Sequence, residues 1–218
     1  MSNINTIIDY YHSCFKQSDK VKNYAKMRKI SKESVIKFKL GYCPPNSQHA
    51  PEFVDRLIFP IWDAHGTTVG WTGRAISPEQ SPKYRNVKES IYYKKSRILY
   101  NYNLAKLDIF KKQEAILVEG QLDVIMLSQI GIINVVASSG TGAFKVDAAS
   151  LLARYAKKVY VVFDADSAGI LAADGAKLHL QTVGVPEIIL ITLPKGHDPA
   201  SYIIEFGKES FMRLLNAR

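Results

Sequence analysis

The sequence has few cysteines and no long apolar run, and each shortage excludes a class of protein. Cys14 and Cys43 are the only two cysteines among 218 residues. Two thiols build neither a disulfide framework nor, alone, a four-ligand zinc site, and low cysteine usage is typical of the reducing cytoplasm. No stretch approaches the roughly 18 consecutive apolar residues of a membrane span. We therefore expect a cytoplasmic protein without zinc and without a membrane partner.

The N-terminus also lacks the basic flank and apolar core of a signal peptide, so we expect none. The composition is 47% apolar, 22% charged and 11% aromatic. These proportions are typical of a globular protein with a substantial core. The length allows one large domain or two small ones.

Positive charge is concentrated in the first half of the chain. Residues 1–112 contain 20 Lys and Arg against 9 Asp and Glu, a net charge of +11, whereas residues 113–218 have a net charge of −2. A basic half followed by a mildly acidic half suits a protein in which one part contacts a polyanion and the other holds metal. A solvated basic surface without a partner is the alternative.

Apolar spacing predicts a mixed first half and a regular second half. In the first half we expect helices over 3–17, 20–29 and 31–38, a hairpin of strands over 56–62 and 67–74, an irregular basic stretch over 77–97, and a helix over 98–110. In the second half, short continuous apolar runs over 115–119, 133–137, 158–163 and 187–193 alternate with helices over 122–130, 145–155, 167–182 and 199–206, with a short helix at the end. Such runs are typical of strands buried on both faces of a parallel sheet. The seam is expected near residues 108–114.

Acidic side chains follow three of the four predicted parallel strands. Glu119 and Asp123 come after the first, Asp164 and Asp166 after the third, and Asp198 after the fourth. Ligands bind at the carboxyl ends of such strands. Carboxylates that gather there repel one another unless a cation lies between them, and hard oxygen ligands suit Mg²⁺ or Mn²⁺ rather than zinc.

Three of the five acidic residues also have a purely structural explanation. Asp123 is favoured near a helix N-terminus by the helix dipole. Asp166 is a plausible N-cap of the helix that begins near Ser167, a role compatible with metal binding. Asp198 alone fits a turn before Pro199.

Four motifs in order resemble the Toprim domain, and in particular the bacterial DnaG-type primases. They are Val118-Glu-Gly-Gln-Leu-Asp123, Ala137-Ser-Ser-Gly-Thr141, Phe163-Asp-Ala-Asp-Ser-Ala-Gly169 and Leu193-Pro-Lys-Gly-His-Asp-Pro199. The resemblance covers roughly residues 5–218. It implies an α/β fold with a Toprim-type parallel sheet flanked by helices, preceded by a smaller basic α+β subdomain. The implied domains are residues 1–112 for template and nucleotide, 113–200 for Toprim catalysis, and 201–218 as a C-terminal helical segment.

The resemblance also implies the activity and the residues that perform it. The activity is metal-dependent, template-directed synthesis of short RNA primers on single-stranded DNA from NTPs, a nucleotidyl transfer that uses two or more Mg²⁺ or Mn²⁺ ions. Glu119, Asp164 and Asp166 would be catalytic. These three and Asp198 would be metal ligands, with Glu119 alternatively a general base, and Asp123 a supporting acidic residue. The basic groove for template and nucleotide would be lined by Arg56, Arg74, Lys83, Tyr84, Asn86, Lys95 and Arg97.

The sequence departs from the family pattern at both ends. The family's zinc ribbon before this region, and its further helices and helicase-binding tail after it, have no counterpart here. The chain is therefore expected to be either an excised catalytic core or a small primase, with any replicative helicase contacted through regions that it lacks. A Toprim metal-dependent nuclease and a catalytically inert single-stranded-DNA-binding accessory protein are the alternative functions.

Overall fold

The computed structural model describes residues 4–138, 140 and 142–216. These residues form two compact units. The first extends to Trp62 and includes Thr67–Tyr92, and the second comprises Asp63–Gly66 and the chain from Tyr93 onward. Within the described part of the chain, no helix is both long enough and apolar enough to cross a membrane.

The first unit packs three helices with a four-stranded antiparallel sheet of order β1-β2-β3-β4. The helices are α1 (Ile4–Gln17), α2 (Asp19–Met27) and α3 (Lys32–Lys37), and the strands are β1 (Gly41–Cys43), β2 (Arg56–Trp62), β3 (Thr68–Ala75) and β4 (Tyr84–Asn86). The predicted helices and hairpin are confirmed. Ser31 caps α3, since its hydroxyl accepts a hydrogen bond from the Ser34 amide at 3.1 Å.

Two short strands were not predicted from the sequence. Strand β1 begins at Gly41, shortly after the helix predicted over 31–38, and β4 lies inside the stretch predicted to be irregular. A three-residue strand is too short to show an apolar alternation, and its hydrogen bonds come from β2 or β3. Gly41 is required because a Cβ there would lie 2.7 Å from the Cβ of Tyr11, which α1 buries against this sheet.

The second unit contains a parallel sheet of order β6-β5-β7-β8. Its strands are β5 (Glu114–Val118), β6 (Val135–Ala137), β7 (Lys158–Val161) and β8 (Glu187–Leu190). Its helices are α4 (Tyr102–Lys112), α5 (Gln121–Gln129), α6 (Val146–Ala153), α7 (Ser167–Thr182) and α8 (Pro199–Asn216), with a kink in α8 at Gly207. The α/β fold with a parallel sheet flanked by helices is thus confirmed. The sheet buries Leu117, Val136 and Val159 in its core.

Helix α4 belongs to the second unit, although it begins before the predicted seam and overlaps it. Its Tyr102, Ala105 and Ile109 are buried in the same core as Leu117 and Val136. The boundary between compact units therefore falls between Tyr92 and Tyr93 rather than near residues 108–114. The assignment of functions to residues 1–112, 113–200 and 201–218 stays a prediction.

Candidate active site

Strand pairing brings the first two acidic motifs together. Strands β5 and β7 are parallel neighbours, with Leu117 opposite Val161. Glu119 follows the end of β5 directly, and Asp164 comes shortly after the end of β7. The Asp164 amide donates a hydrogen bond to Oε1 of Glu119 at 3.1 Å. The carboxylate of Glu119 is therefore fixed to the backbone of the Asp164 loop.

The first turn of α7 lies close to Glu119 and Asp164. A Cβ at Gly169 would lie 2.2 Å from the carbonyl oxygen of Asp164 and 2.9 Å from Oε1 of Glu119. Only glycine fits at this distance. Asp166 caps the same helix, because its Oδ1 accepts a hydrogen bond from the Gly169 amide at 2.7 Å. The capping role considered from the sequence is thus confirmed, and the second oxygen of Asp166 is not used in this cap.

Asp123 connects two loops of the second unit. Its side chain is only 6% exposed. Oδ2 accepts a hydrogen bond from the Gly120 amide at 3.0 Å, and Oδ1 accepts one from the Ala200 amide at 3.1 Å. Asp198 lies beside this junction and caps the start of α8, with its Oδ1 accepting from the Ser201 amide at 2.6 Å. Asp123 therefore holds the turn after β5 against the N-terminus of α8.

The electrostatics of the cluster disfavour ionisation of its buried members. Burial raises the pKa of the Glu119 carboxyl to about 7, and the negative charges of Asp164 and then Asp166 act in the same direction. Burial also raises the pKa of Asp123 well above its ordinary value, with Asp198 and Asp164 adding to the shift. The charge of Asp164 thus contributes to the raised pKa values of both Glu119 and Asp123.

The donor chemistry fits a divalent cation, although a finished ligand set is not assembled. Among residues 4–138, 140 and 142–216, no group of three His, Cys, Asp or Glu side chains converges as a metal site. All five acidic candidates offer carboxylate oxygens, the donors that Mg²⁺ and Mn²⁺ prefer. Burial first, and then their mutual repulsion, raise the pKa values of Glu119 and Asp123, and a bound cation would relieve the repulsion. The contacts bring Glu119 to Asp164, and Asp198 to the neighbourhood of Asp123.

Two arginines predicted to line the basic groove are buried in the first unit. Arg56 is 2% exposed and donates a hydrogen bond to the Pro82 carbonyl at 2.7 Å. Arg74 is 5% exposed, donates from Nε to the Tyr24 hydroxyl at 2.6 Å and from Nη1 to the Tyr84 hydroxyl, and lies over the Tyr84 ring. Both side chains join β2 and β3 to neighbouring segments.

The remaining predicted groove residues differ in exposure. Lys83 is exposed, whereas Asn86 is partly buried and accepts a hydrogen bond from the Thr72 hydroxyl at 2.6 Å. In the second unit, Lys95 is partly exposed, and Arg97 forms an exposed ion pair with Asp147 at 3.0 Å. Their role in binding template or nucleotide stays a prediction.

Two family profiles match adjacent parts of the chain. Residues 46–106 match "DNA primase catalytic core, N-terminal domain", and residues 116–203 match "Toprim-like". The chain belongs to the DnaG-type DNA primase family. It is 34% identical to the DNA primase of Aquifex aeolicus over 98% of this chain, and 32% identical to that of Geobacillus stearothermophilus over 93% of it. It spans 48% and 38% of these two relatives, so it matches half of their length or less.

Solved primase structures share the fold. The Aquifex aeolicus primase structure with zinc-binding and RNA polymerase domains superposes with a TM-score of 0.89 at 33% identity, over 98% of this chain and 59% of that one. A DnaG primase catalytic domain bound to single-stranded DNA superposes with a TM-score of 0.83 at 28% identity, over 97% of this chain and 78% of that one. The recognition of this family from the four motifs is confirmed.

Some functional details of this primase-family chain were not predicted from its sequence. Gly169 stood in a recognised motif, but its steric role against Asp164 and Glu119 was missed. A glycine in the first turn of a helix, three residues after an Asp-x-Asp, is the signal that was present. Tyr24, the partner of buried Arg74, had no such signal. Ser139 and Thr141 of the second motif lie outside the described residues.

The buried arginine and the exposed lysine of the first unit are expected to respond differently to substitution. Arg74→Lys loses the planar guanidinium that bonds two tyrosine hydroxyls, so we expect a loss of about 1 to 3 kcal/mol in the free energy of unfolding. Lys83→Ala is expected to leave that free energy unchanged and to weaken binding to single-stranded DNA with a smaller salt dependence. Urea unfolding and fluorescence anisotropy at two salt concentrations measure these effects. Equal stability of both variants would contradict the assignment.

Proposed function

We propose that this chain is the catalytic core of a DNA primase, a nucleotidyl transferase that makes short RNA primers on single-stranded DNA. The observation that carries the proposal is the hydrogen bond that fixes Glu119 to the Asp164 backbone at the carboxyl ends of β5 and β7. The family membership supports the same activity, because the relatives are DNA primases.

The proposed reaction joins two nucleotides on a template. The 3′-hydroxyl of the primer, or of the first nucleotide, attacks the α-phosphate of an NTP, and pyrophosphate leaves. Divalent cations, when bound, lower the pKa of the attacking hydroxyl and neutralise charge on the phosphorus. Asp164, Asp166 and Asp198 would hold these cations through carboxylate oxygens. Glu119 acts either as a further ligand or as the base that takes the hydroxyl proton, and a pKa of about 7 suits that base near neutral pH.

Asp123 has a supporting role in this proposal. Its two hydrogen bonds hold the Gly120 turn and the start of α8 in place. Because Asp198 caps that same helix, Asp123 positions Asp198 relative to Glu119 through the backbone. Asp123 is thus a positioning residue, and its own oxygens are occupied by amide donors.

Template and nucleotide would be held by the basic residues. A primase catalytic domain in this family is known bound to single-stranded DNA, which supports that template class here. Exposed Lys83 and Arg97 would contact phosphates, and Tyr84 offers a ring on which a base can stack. Buried Arg56 and Arg74 would hold the segment that carries Lys83 and Tyr84 in place, through Pro82 and the Tyr84 side chain. A replicative helicase is assigned to no residue of this chain.

One incubation distinguishes this function from the alternatives. The chain is mixed with single-stranded DNA, labelled NTPs and Mn²⁺, and products are resolved on a denaturing gel. Primer synthesis produces short labelled RNA, whose amount falls to background when a chelator removes the metal. Shortened DNA without RNA identifies a nuclease, and neither product, together with DNA binding measured by fluorescence anisotropy, identifies an inert accessory protein. Either of these two results overturns the proposal.

The raised pKa of Glu119 predicts a pH dependence of metal binding. The carboxyl is mostly protonated below pH 7 in the metal-free protein, so a cation that it ligates must displace the proton. Apparent Mn²⁺ affinity is expected to fall about tenfold per pH unit below pH 7 for one displaced proton. In the metal-free protein, the pKa of Glu119 is higher in the folded state than in the unfolded state. The free energy of unfolding that Glu119 contributes is therefore fully present below its unfolded pKa and is lost as the pH rises through about 7.

Isothermal titration with Mn²⁺ between pH 6 and pH 8, and urea unfolding over the same range, measure the two effects. Glu119→Gln is the control, because it removes the titrating carboxyl group. It should flatten the pH profiles of both the Mn²⁺ affinity and the free energy of unfolding. A Glu119→Gln profile as steep as that of the unmodified chain would assign the pH dependence to another group.

A further inference from the structure

A cavity of about 700 Å³ lies among helices α1, α2 and α3 of the first unit. Ala25, Ile30 and Val35 contribute buried apolar side chains to its lining, and Ile36 adds an apolar side chain that is 68% exposed. The volume is within the range of ligand-binding pockets in proteins. None of the residues proposed to hold template, nucleotide or metal lines this cavity.

The rim of the cavity is positively charged from several directions. Its exposed lysines come from the end of α1, from α2 and the turn after it, and from the start of α3. They are Lys16, Lys22, Lys26, Lys29 and Lys32. None of the described residues that line the cavity is acidic. Lys22 forms an ion pair with Asp19 at 2.6 Å, which lies outside the lining. We call this feature, with its apolar floor of Ala25, Ile30 and Val35, the lysine-rimmed cavity.

The distribution of charge indicates a ligand with several separated negative charges. All five lysines carry exposed ammonium groups on flexible side chains. Among the described lining residues there is no buried cation that could bind one compact anionic headgroup. Stems of this kind cover apolar surface while their charges remain in water. An anionic chain that crosses the rim at several points satisfies such a ring of cations, whereas one carboxylate does not.

The apolar floor favours a peptide over a nucleic acid. Unpaired bases bind proteins by stacking on exposed aromatic rings. Among the described lining residues Phe15 is the one aromatic side chain, and it is 5% exposed. Aliphatic floor residues accept the side chains of apolar anchors, as in grooves that bind amphipathic helices. We propose that the lysine-rimmed cavity docks an acidic segment of a partner protein, with apolar side chains inserted between the lysines.

The test measures binding of a defined peptide to the full chain. A fluorescein-labelled peptide in which Glu and Asp flank one Phe and one Leu is titrated with protein and followed by fluorescence anisotropy. We expect saturable binding that the double variant Lys26→Glu/Lys29→Glu weakens at least about tenfold and that Ile36→Ser weakens at least about fivefold. Circular dichroism melting curves confirm that both variants are folded, since all three side chains are exposed.

Two control variants match these changes in exposure and charge. Met27→Ser alters a side chain that is 69% exposed and outside the lining, and Lys88→Glu/Lys208→Glu makes the same charge change at exposed lysines elsewhere. Both are expected to bind the peptide within about twofold of the unmodified chain. A control peptide with Gln and Asn in place of the acids, and Ser in place of Phe and Leu, is expected not to bind.

Several results overturn the proposal. They are the absence of saturable binding, equal weakening by the control variants, and equal affinity for the control peptide. Displacement of the peptide by oligothymidylate shows a nucleic-acid surface instead, if the affinity for the peptide is also lost in Lys26→Glu/Lys29→Glu but unchanged in Ile36→Ser. Displacement by oleate at equal potency shows a fatty-acid site. None of these outcomes bears on the primase proposal, because primer synthesis is measured separately and uses other residues.

Discussion

Glu119→Gln is expected to lower metal-dependent primer synthesis by about a hundredfold or more, the usual effect of removing a general base or a metal ligand. The substitution keeps the shape of the side chain and an oxygen that can still accept the hydrogen bond from the Asp164 amide. It removes the negative charge. The fold should therefore persist, and stability near neutral pH should rise slightly, because a buried carboxylate repelled by Asp164 is lost.

Asp164→Asn is expected to give the same loss, since Asp164 interacts with both Glu119 and Asp123. Glu114→Gln is the matched control, because Glu114 begins the same strand, β5, whose other end leads to Glu119. It should retain activity within about twofold, in line with substitutions at exposed sites. The primer assay with Mg²⁺ or Mn²⁺ measures all three variants. Activity of Glu119→Gln equal to that of Glu114→Gln would remove the candidate site from the mechanism.

Gly169→Ala is expected to be the most destabilising single-methyl change at the site. The added Cβ would lie 2.2 Å from the Asp164 carbonyl oxygen, which is a backbone atom and cannot rotate away. Either α7 shifts or the Asp164 loop moves, and we expect a cost of about 3 kcal/mol. For a chain of this size that corresponds to a melting temperature lower by about 6 to 12 °C.

Gly175→Ala on the same helix is the matched control. No atom lies within 4 Å of a Cβ built there. Alanine has the higher helix propensity, so this variant should be unchanged or more stable by about 0.5 to 1 kcal/mol. Thermal unfolding by circular dichroism compares the two.

Activity at a temperature where both glycine variants are folded separates a displaced site from simple unfolding. Gly169→Ala should remain at least about tenfold less active there, because a misplacement of about 1 Å costs up to a hundredfold in rate. Full activity of folded Gly169→Ala would show that the close approach of α7 has no role in positioning Glu119 and Asp164.

Much of the second unit was predictable because its signals are local. Each buried strand is a short apolar run, and each helix follows within a few residues, so the order of elements and the position of Glu119 after β5 could be read directly. The resemblance in four motifs added the family. Strands β1 and β4 were missed because three residues carry no periodicity, and their partners lie elsewhere in the sequence.

Burial of charged side chains in the first unit could not be predicted. The resemblance implies that Arg56 and Arg74 line a groove for template and nucleotide, and it says nothing about how far they are buried. The structure instead shows them within the sheet region, bonded to Pro82, Tyr24 and Tyr84. A long cationic side chain is found in either environment, and the choice depends on which tyrosine hydroxyls and carbonyls the fold brings near it.

The sequence alone determined the alternation of strands and helices, the acidic residue types at the strand ends, and the division of charge between the halves. These properties depend on side-chain chemistry and on neighbours a few positions away. Only the tertiary structure decided that β5 pairs with β7, which places Glu119 on the Asp164 amide and raises its pKa to about 7. Glu119 and Asp164 are 45 positions apart, and neither burial nor repulsion exists until the strands pair.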